Sequence, residues 1–410
     1  MTQSDSNHSN ADFSLQSVPP QHRRGFWPML IVMMGFTFFS ASMWTGGRLG
    51  TSLDARQFVL AVLGGNLILG VYTGTLAYIA AKTGLSTHLL ARSSFGIKGS
   101  WLPSLLLGST QVGWFGVGVM MFALPIQKLT GINLYILIAS GGVLMTLTAY
   151  FGIRALTALS FVAVPAIAGL GFFSIEQAVT TSGGLSQLLA IIPETPMDFS
   201  LALTLCVGSF ISGGTLTPDF TRFSRSSAIA VSTTVIAFFV GNSLMFTFGA
   251  VGASVYQQAD ISQVMVLQGL ILPAVIVLGL NIWTTNDSAL YASGLAFSNI
   301  TGLSKKKLVI FNGVLGSLFS MFLYHHFVGF LTLLGSCLPP IGAIIISDYA
   351  LRRRQMHTDG KNFDSEVQGV RLSACLAWAG GSLAAHWLPG IAPINGLLAA
   401  ALIYLLMERS

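Results

Sequence analysis

From residue 26 to residue 407 the chain is a succession of long apolar runs separated by short polar breaks. Runs of about 18 to 24 apolar residues match the hydrocarbon core of a bilayer when coiled as an α-helix. They show no strict alternation of apolar and polar residues, so a membrane β-barrel is excluded. Hydrophobic residues make up 53% of the sequence and charged residues 8%, against roughly 25% charge in an average soluble domain. The expected fold class is an all-α integral membrane protein of about 12 transmembrane helices. Hydropathy sets the spans at 26–47, 57–81, 100–125, 132–152, 156–176, 199–220, 229–254, 264–298, 307–326, 328–349, 370–388 and 391–407.

Threading these spans from a cytoplasmic N-terminus places 17 of the 20 lysines and arginines on the inner side; only Arg48, Arg56 and Lys128 fall outside. That is the positive-inside bias, and a missed span would scramble it downstream. It predicts a multi-pass protein of the cytoplasmic (inner) membrane with both termini in the cytoplasm. The basic residues are spread over short loops, so a nucleic-acid partner is not implied. Residues 1–20 are polar and without periodicity, which predicts a disordered tail; residues 21–410 form one domain. The first run, following Arg23 and Arg24, resembles a secretory signal, but it continues past the Ser40-Ala41-Ser42 site and reads as a retained span. Cys206, Cys337 and Cys375 lie in apolar runs without CxxC spacing, which predicts core residues and no disulfide framework. The internal segment 82–100 is expected to hold a short interfacial helix around Thr87–Ser94.

Two segments offset by roughly 170 residues resemble each other: Gly35–Gly47 (GFTFFSASMWTGG) and Gly208–Phe220 (GSFISGGTLTPDF). Both are rich in glycine and hydroxyls, poor material for a helix in lipid, where every freed backbone group is costly. They fall in the first and sixth spans, and a shift of five spans inverts the second copy relative to the membrane. The pairing predicts two inverted repeats, about 26–176 and 199–349, followed by two further helices in 370–407. Discontinuous helices at the bilayer midplane are where such transporters bind ions and polar substrates. The alternative is that the small residues serve close helix packing.

The most polar run inside an apolar segment is Asn281-Ile282-Trp283-Thr284-Thr285-Asn286-Asp287. The Asn281 carbonyl and the Thr284 and Thr285 hydroxyls share one helical face. Hard, uncharged oxygens suit Na⁺, with carbonyls of an unwound first span, Phe36 and Phe39, completing the set. Alternatively each hydroxyl bonds back to its own helix. Asp287 is an intramembrane carboxylate and a functional candidate by default: it belongs to the ion path, takes a proton as a coupling carboxylate, caps a broken helix, or pairs with a cation near the inner surface. Asp219 and Asp348, beside Arg222 and Arg352, read as structural pairs. In the third span Gln111 and Trp114 share a face. An amide and an indole together can read the edge and face of a flat heteroaromatic ring, and Phe210 offers a second face; packing or lipid contact is the alternative for Trp114.

No HExxH, Walker or GxSxG motif is present, His325-His326 falls at an expected external turn, and the loops are too short for a nucleotide-binding domain. These features predict no enzyme and no cofactor, and transport driven by an ion gradient. The stretches FFSASMWTGG, THLLARSSFGIKGSWLPSLLLGSTQVGWFGVG, VGSFISGGTLTPDFTRFSR and LGLNIWTTNDSALYASGL resemble the cytosine permeases of the nucleobase:cation symporter family 1, over the chain from about Pro19 to the C-terminus. The resemblance implies a LeuT-type fold of two inverted five-helix repeats plus two helices, working as a secondary active transporter that imports cytosine with Na⁺ by alternating access. It implies a ring stacked between Trp114 and Phe210, hydrogen-bonding candidates Gln111, Ser209, Ser212 and Asn281, and Na⁺ at Asn281, Thr284 and Thr285. The unwound Ser209–Gly214 backbone would be a pocket wall. Pro218 stands where relatives have Ala, on the cytoplasmic side of that site. A permease for hydantoin, allantoin or a thiamine-precursor pyrimidine, or one coupled to H⁺, is the alternative.

Overall fold

The computed structural model describes residues 13–258, 261–326, 334, 336–359 and 369–409, and helices account for almost all of its regular structure. The first span is a bent pair, α1 (Phe26–Thr37) and α2 (Ser40–Gly50), meeting at 52°. Next come α3 (Ala55–Thr83), the short α4 (Thr87–Phe95), α5 (Trp101–Thr130), α6 (Leu134–Phe151) and α7 (Ile153–Thr181). Each boundary has a local cause: Asp54 and Ser86 accept the first free amides of α3 and α4, and Gly84 and Gly131 end α3 and α5 in the left-handed conformation, as expected of caps. A helical turn, α8 (Leu185–Leu189), leads to α9 (Phe199–Thr215) and α10 (Thr217–Thr221). The segment α11 (Ser227–Ile236), a π-turn over Ala237–Asn242 and α12 (Ser243–Tyr256) form one 30-residue apolar span.

The expected eighth span, 264–298, is instead two helices, α13 (Ile261–Leu267) and α14 (Ile271–Thr301). Gly269 at φ 75° turns the chain between them. The expected ninth span divides at Phe319 into α15 (Lys305–Leu318) and α16 (Ser320–His325). The tenth is described in part, with residues 327–333 and 335 outside the described residues and α17 (Pro339–Asp359) following; α18 (Leu372–Trp387) and α19 (Ala392–Arg409) complete the chain. Among the described residues, five helical segments are long and apolar enough to cross a membrane, six with the bent pair.

Burial follows membrane rules. On α3, Leu60, Leu63, Leu67 and Val71 form an exposed apolar stripe while Leu69, Tyr72 and Leu76 face the interior. α2 packs on α12 so closely that a Cβ at Gly46 would lie 2.1 Å from the Phe246 carbonyl oxygen, and one at Gly249 would lie 1.8 Å from that of Met43; this is the small-residue packing of membrane helices. Cys206 is buried, Cys337 and Cys375 are half-buried, and all three are free.

Two further expectations need correction. The tail reading of residues 1–20 does not hold for Phe13–Pro20: Val18 is buried in the core and its amide donates to the Gly84 carbonyl at 2.9 Å; residues 1–12 lie outside the described residues. The helix at Thr87–Phe95 is inside the protein rather than at a membrane interface, with nearly every residue buried.

Candidate substrate and ion site

The α1–α2 break is built by Phe38 and Phe39, neither of them a helix breaker: Phe39 is extended (φ −107°, ψ 126°), and Phe38 leaves helical geometry (φ −74°, ψ 70°). The Phe38 amide still donates to Met34, and the Phe39 carbonyl accepts from Ser42 and Met43, which restarts the helix. The Phe38 carbonyl accepts from Asn281 Nδ2 of α14 at 2.8 Å. The Phe38 carbonyl, not singled out by sequence, thus bonds α14 across the break, and Phe36 and Phe39 both border the cavity beside it.

Beside this break lies a cavity walled by the break, α5, α9 and α14. From α5 it receives Gln111, Trp114, Gly118 and Met121, a single helical stripe. Gln111 is buried and, among the described residues, its Nε2 has no hydrogen-bond partner. Trp114 Nε1 donates to Ser212 Oγ of α9 at 3.3 Å, which fixes the ring orientation. Phe39 stands edge-on to both Trp114 (4.9 Å between centroids, 73°) and Phe210 (5.6 Å, 89°). Ser209 and Ser212 reach the cavity from α9, although Ser209 Oγ donates to the Cys206 carbonyl of its own helix at 3.0 Å.

The backbone at Ser209–Gly214 is helical, correcting the expectation that it is unwound. The interruption comes two residues later, at Leu216, and Pro218 fits the first turn of α10, where an amide hydrogen has no helical partner. Gly213 and Gly214 make room: a Cβ at Gly213 would lie 3.2 Å from the Phe36 ring, and one at Gly214 would lie 3.0 Å from Thr73.

From α14 the cavity receives Thr285, Asn286 and Ala289, while Asn281 and Thr284 are buried just behind it. The Thr284 and Thr285 hydroxyls bond back to their own helix, as in the alternative to an ion site: Thr284 donates to the Asn281 carbonyl at 2.8 Å, and Thr285 lies within donating distance of the Asn281 and Ile282 carbonyls, at 3.1 and 3.0 Å. Donating their single hydrogens inward leaves the lone pairs on both oxygens to accept. Asn281 Oδ1 is buried without a partner among the described residues, and an orphaned oxygen acceptor is a group that a hard cation can satisfy. Asn286 Oδ1 occupies the space of the missing Gly118 side chain, 2.1 Å from where a Cβ would sit. Sequence reasoning passed over Asn286 and Ser40 as cavity residues; the polar run in α14 and the Gln111–Trp114–Gly118 spacing were the available signals.

A family model described as permeases for cytosine/purines, uracil, thiamine and allantoin matches residues 17–406. The chain belongs to this family. The cytosine permease of Escherichia coli K12 is 58% identical over 397 residues, covering 97% of this chain and 94% of the relative. The hydantoin permease of Microbacterium maritypicum is 24% identical, covering 97% and 88%. The fold matches a nucleobase-cation-symport-1 family transporter in a closed conformation with bromovinylhydantoin bound, at TM-score 0.85 and 24% identity, over 97% of this chain and 94% of that one. It also matches a Na⁺-coupled sialic acid symporter at 0.75 and 14% identity, over 98% and 92%. This permease is therefore mostly helical, with the fold of these transporters.

Asp287 of the permease is fully buried and turned away from the cavity toward α6: its Oδ1 accepts from Thr148 Oγ1 at 2.5 Å, and Trp283 Nε1 donates to the same Thr148 oxygen. Asp348 pairs with Arg352 at 3.0 Å, as expected, and with Arg371 at 2.9 Å. Asp219 accepts from the Thr87 amide at 2.8 Å, Arg222 Nε donates to its main-chain oxygen, and the Arg222 charge acts on its carboxylate. His88, on α4 between spans, lies 3.7 Å from Asp219; burial, with the Arg222 charge second, pushes its pKa down to about 3 and keeps the ring neutral.

Proposed function

We propose that this permease imports cytosine together with Na⁺ by alternating access across the inner membrane, with both termini cytoplasmic and two inverted five-helix repeats carrying the cycle. The observation that carries the reading is the cavity itself: a buried amide nitrogen with no partner at Gln111 stands one helical turn from the face of Trp114, with Phe210 across the space. A flat ring with acceptors on its edge satisfies that donor, and stacking on an aromatic face contributes about 1–3 kcal/mol per base. Ser212 holds the indole by its N–H and so preserves the stacking geometry. The 58% identity to a curated cytosine permease over nearly the whole chain supports cytosine over the other rings this family takes.

Asn281, Thr284 and Thr285 are the ion ligands of this reading, together with the Phe36 and Phe39 carbonyls of the first span. An ion there ties α14 to the break, and the break presents Phe39 to the substrate cavity. Ion and substrate then stabilise the same arrangement, so each raises the affinity for the other. Asp287, bonded to Thr148 on the far side of α14, is outside this path, which favours Na⁺ over H⁺ as the coupling ion. The test is binding of radiolabelled cytosine to purified protein, with unlabelled hydantoin, allantoin and a thiamine-precursor pyrimidine as competitors. Cytosine should compete best, and Trp114→Ala should weaken binding by about 10- to 100-fold; stronger competition by another ring, or retained affinity in the variant, contradicts the assignment.

A further inference from the structure

The cytoplasmic end holds a fully buried arginine. Arg222, directly after α10, donates through Nε to the Asp219 carbonyl at 3.2 Å, through Nη1 to the Phe13 carbonyl at 2.8 Å and through Nη2 to the Tyr291 hydroxyl of α14 at 3.2 Å. One guanidinium therefore joins three separate pieces of chain. Its own loop belongs with α3 and α9, on which α10 packs, whereas Tyr291 belongs to α14, which packs on α5 and α15.

Phe13 begins a segment that runs to Arg24 along this end of the molecule. Val18 is buried, and its amide bonds Gly84 at the end of α3. Arg23 donates back to the Val18 carbonyl at 3.2 Å and to the Ala81 carbonyl of α3 at 2.7 Å. Arg24 exchanges backbone bonds with Phe223 and Arg225, on either side of the bridge to Ser224, and its guanidinium reaches Thr157 of α7. The segment is thus fastened to α3, to α7 and to the loop after α10. Phe13 thus reaches α14 through Arg222, and its ring packs against the core cluster that holds Tyr291 and Ala292.

We propose that Phe13–Arg24 is a cytoplasmic latch, in which the Phe13 carbonyl holds Arg222 against Tyr291 and so keeps the inner ends of α10 and α14 together. Inward opening requires those ends to part, which breaks the Arg222–Tyr291 bond. Removing the Phe13 acceptor takes away one of the bonds that hold the guanidinium in this position and lowers the cost of that step. The latch acts through a main-chain oxygen, so the identity of residue 13 matters less than the presence of the segment. This inference rests on the alternating-access reading above.

The test uses the full-length protein in inside-out vesicles, with Cys206, Cys337 and Cys375 replaced by Ala and a reporter at Ala292→Cys, a buried α14 position. Alkylation by a membrane-impermeant maleimide reports cytoplasmic opening. Deleting residues 1–17 should raise the alkylation rate about fivefold or more; Tyr291→Phe, which removes the other end of the same connection, should do likewise; the two together should add little. A second reporter, Ala202→Cys in the separate core of α3, α9 and α12, should stay unreactive. Rates within twofold of the full-length chain in both variants overturn the latch, as does an equal rise at Ala202, which marks general loosening. Whether cytosine changes the Ala292→Cys rate in the undeleted chain tests alternating access separately.

Discussion

The two interrupted helices differ in what completes their freed backbone groups. At the α1–α2 break the chain becomes extended, and the Phe38 carbonyl is met by the Asn281 side chain of a different helix, beside the cavity. At the α9–α10 break the chain only tightens: the Leu216 amide donates to Gly213 and the Leu216 carbonyl accepts from Asp219. Thr87 then covers the Thr215 carbonyl, and Tyr72 bonds the Thr215 hydroxyl at 2.8 Å. The first break borders the cavity, whereas the second is sealed by its neighbours. A discontinuity in a membrane helix is thus a site only where its polar groups face a cavity.

The largest expected effect that separates the two breaks comes at Asn281. Asn281→Ala leaves the buried Phe38 carbonyl without a partner, which costs about 1–3 kcal/mol, and it should also remove Na⁺-stimulated binding; thermal unfolding with and without Na⁺ checks both. An unchanged melting temperature would show that the break does not depend on α14. At the second break, Tyr72→Phe removes one neutral hydrogen bond worth about 0.5–1.5 kcal/mol. It should lower stability while leaving cytosine affinity within about twofold, measured by titration; a large affinity loss would make the second break part of the site.

Within the cavity the two serines of α9 provide a finer contrast. Ser212→Ala strips the Trp114 N–H of its acceptor and should weaken binding by about 3- to 10-fold. Ser209→Ala removes a hydroxyl already bonded within its own helix and should change affinity least. Equal losses would mean that both hydroxyls touch the substrate. Asp287→Asn keeps an amide next to Thr148 and should leave the Na⁺ dependence of uptake unaltered, which uptake at graded Na⁺ concentrations checks.

Much of this was legible in the sequence because membrane burial writes itself in composition. The apolar runs gave the helices, and the Gln111–Trp114 spacing and the polar run in α14 named side chains that meet in one cavity. The positions of the breaks were not legible. Glycines and hydroxyls marked the right two segments, but in the structure Gly46 and Gly213 serve close packing while the chain is interrupted at Phe38–Phe39 and Leu216. A break is fixed by a partner from elsewhere, Asn281 in one case and Thr87 in the other, and backbone groups leave no side-chain signature in their own segment. Phe13–Pro20 illustrates the same limit: a polar composition without periodicity hid Val18, whose burial depends on Gly84. The eighth span was read as one helix because the turn at Gly269 lies inside apolar sequence.

The central claim, that the α1–α2 break and α14 together hold a coupling ion beside a cytosine cavity, is tested most directly by uptake of radiolabelled cytosine into proteoliposomes with the Na⁺ and pH gradients imposed separately. The account predicts accumulation driven by an inward Na⁺ gradient at uniform pH, abolished in the Thr284→Ala, Thr285→Ala double variant. Accumulation that follows the pH gradient and ignores Na⁺, or Na⁺-driven uptake that survives in the double variant, would contradict it.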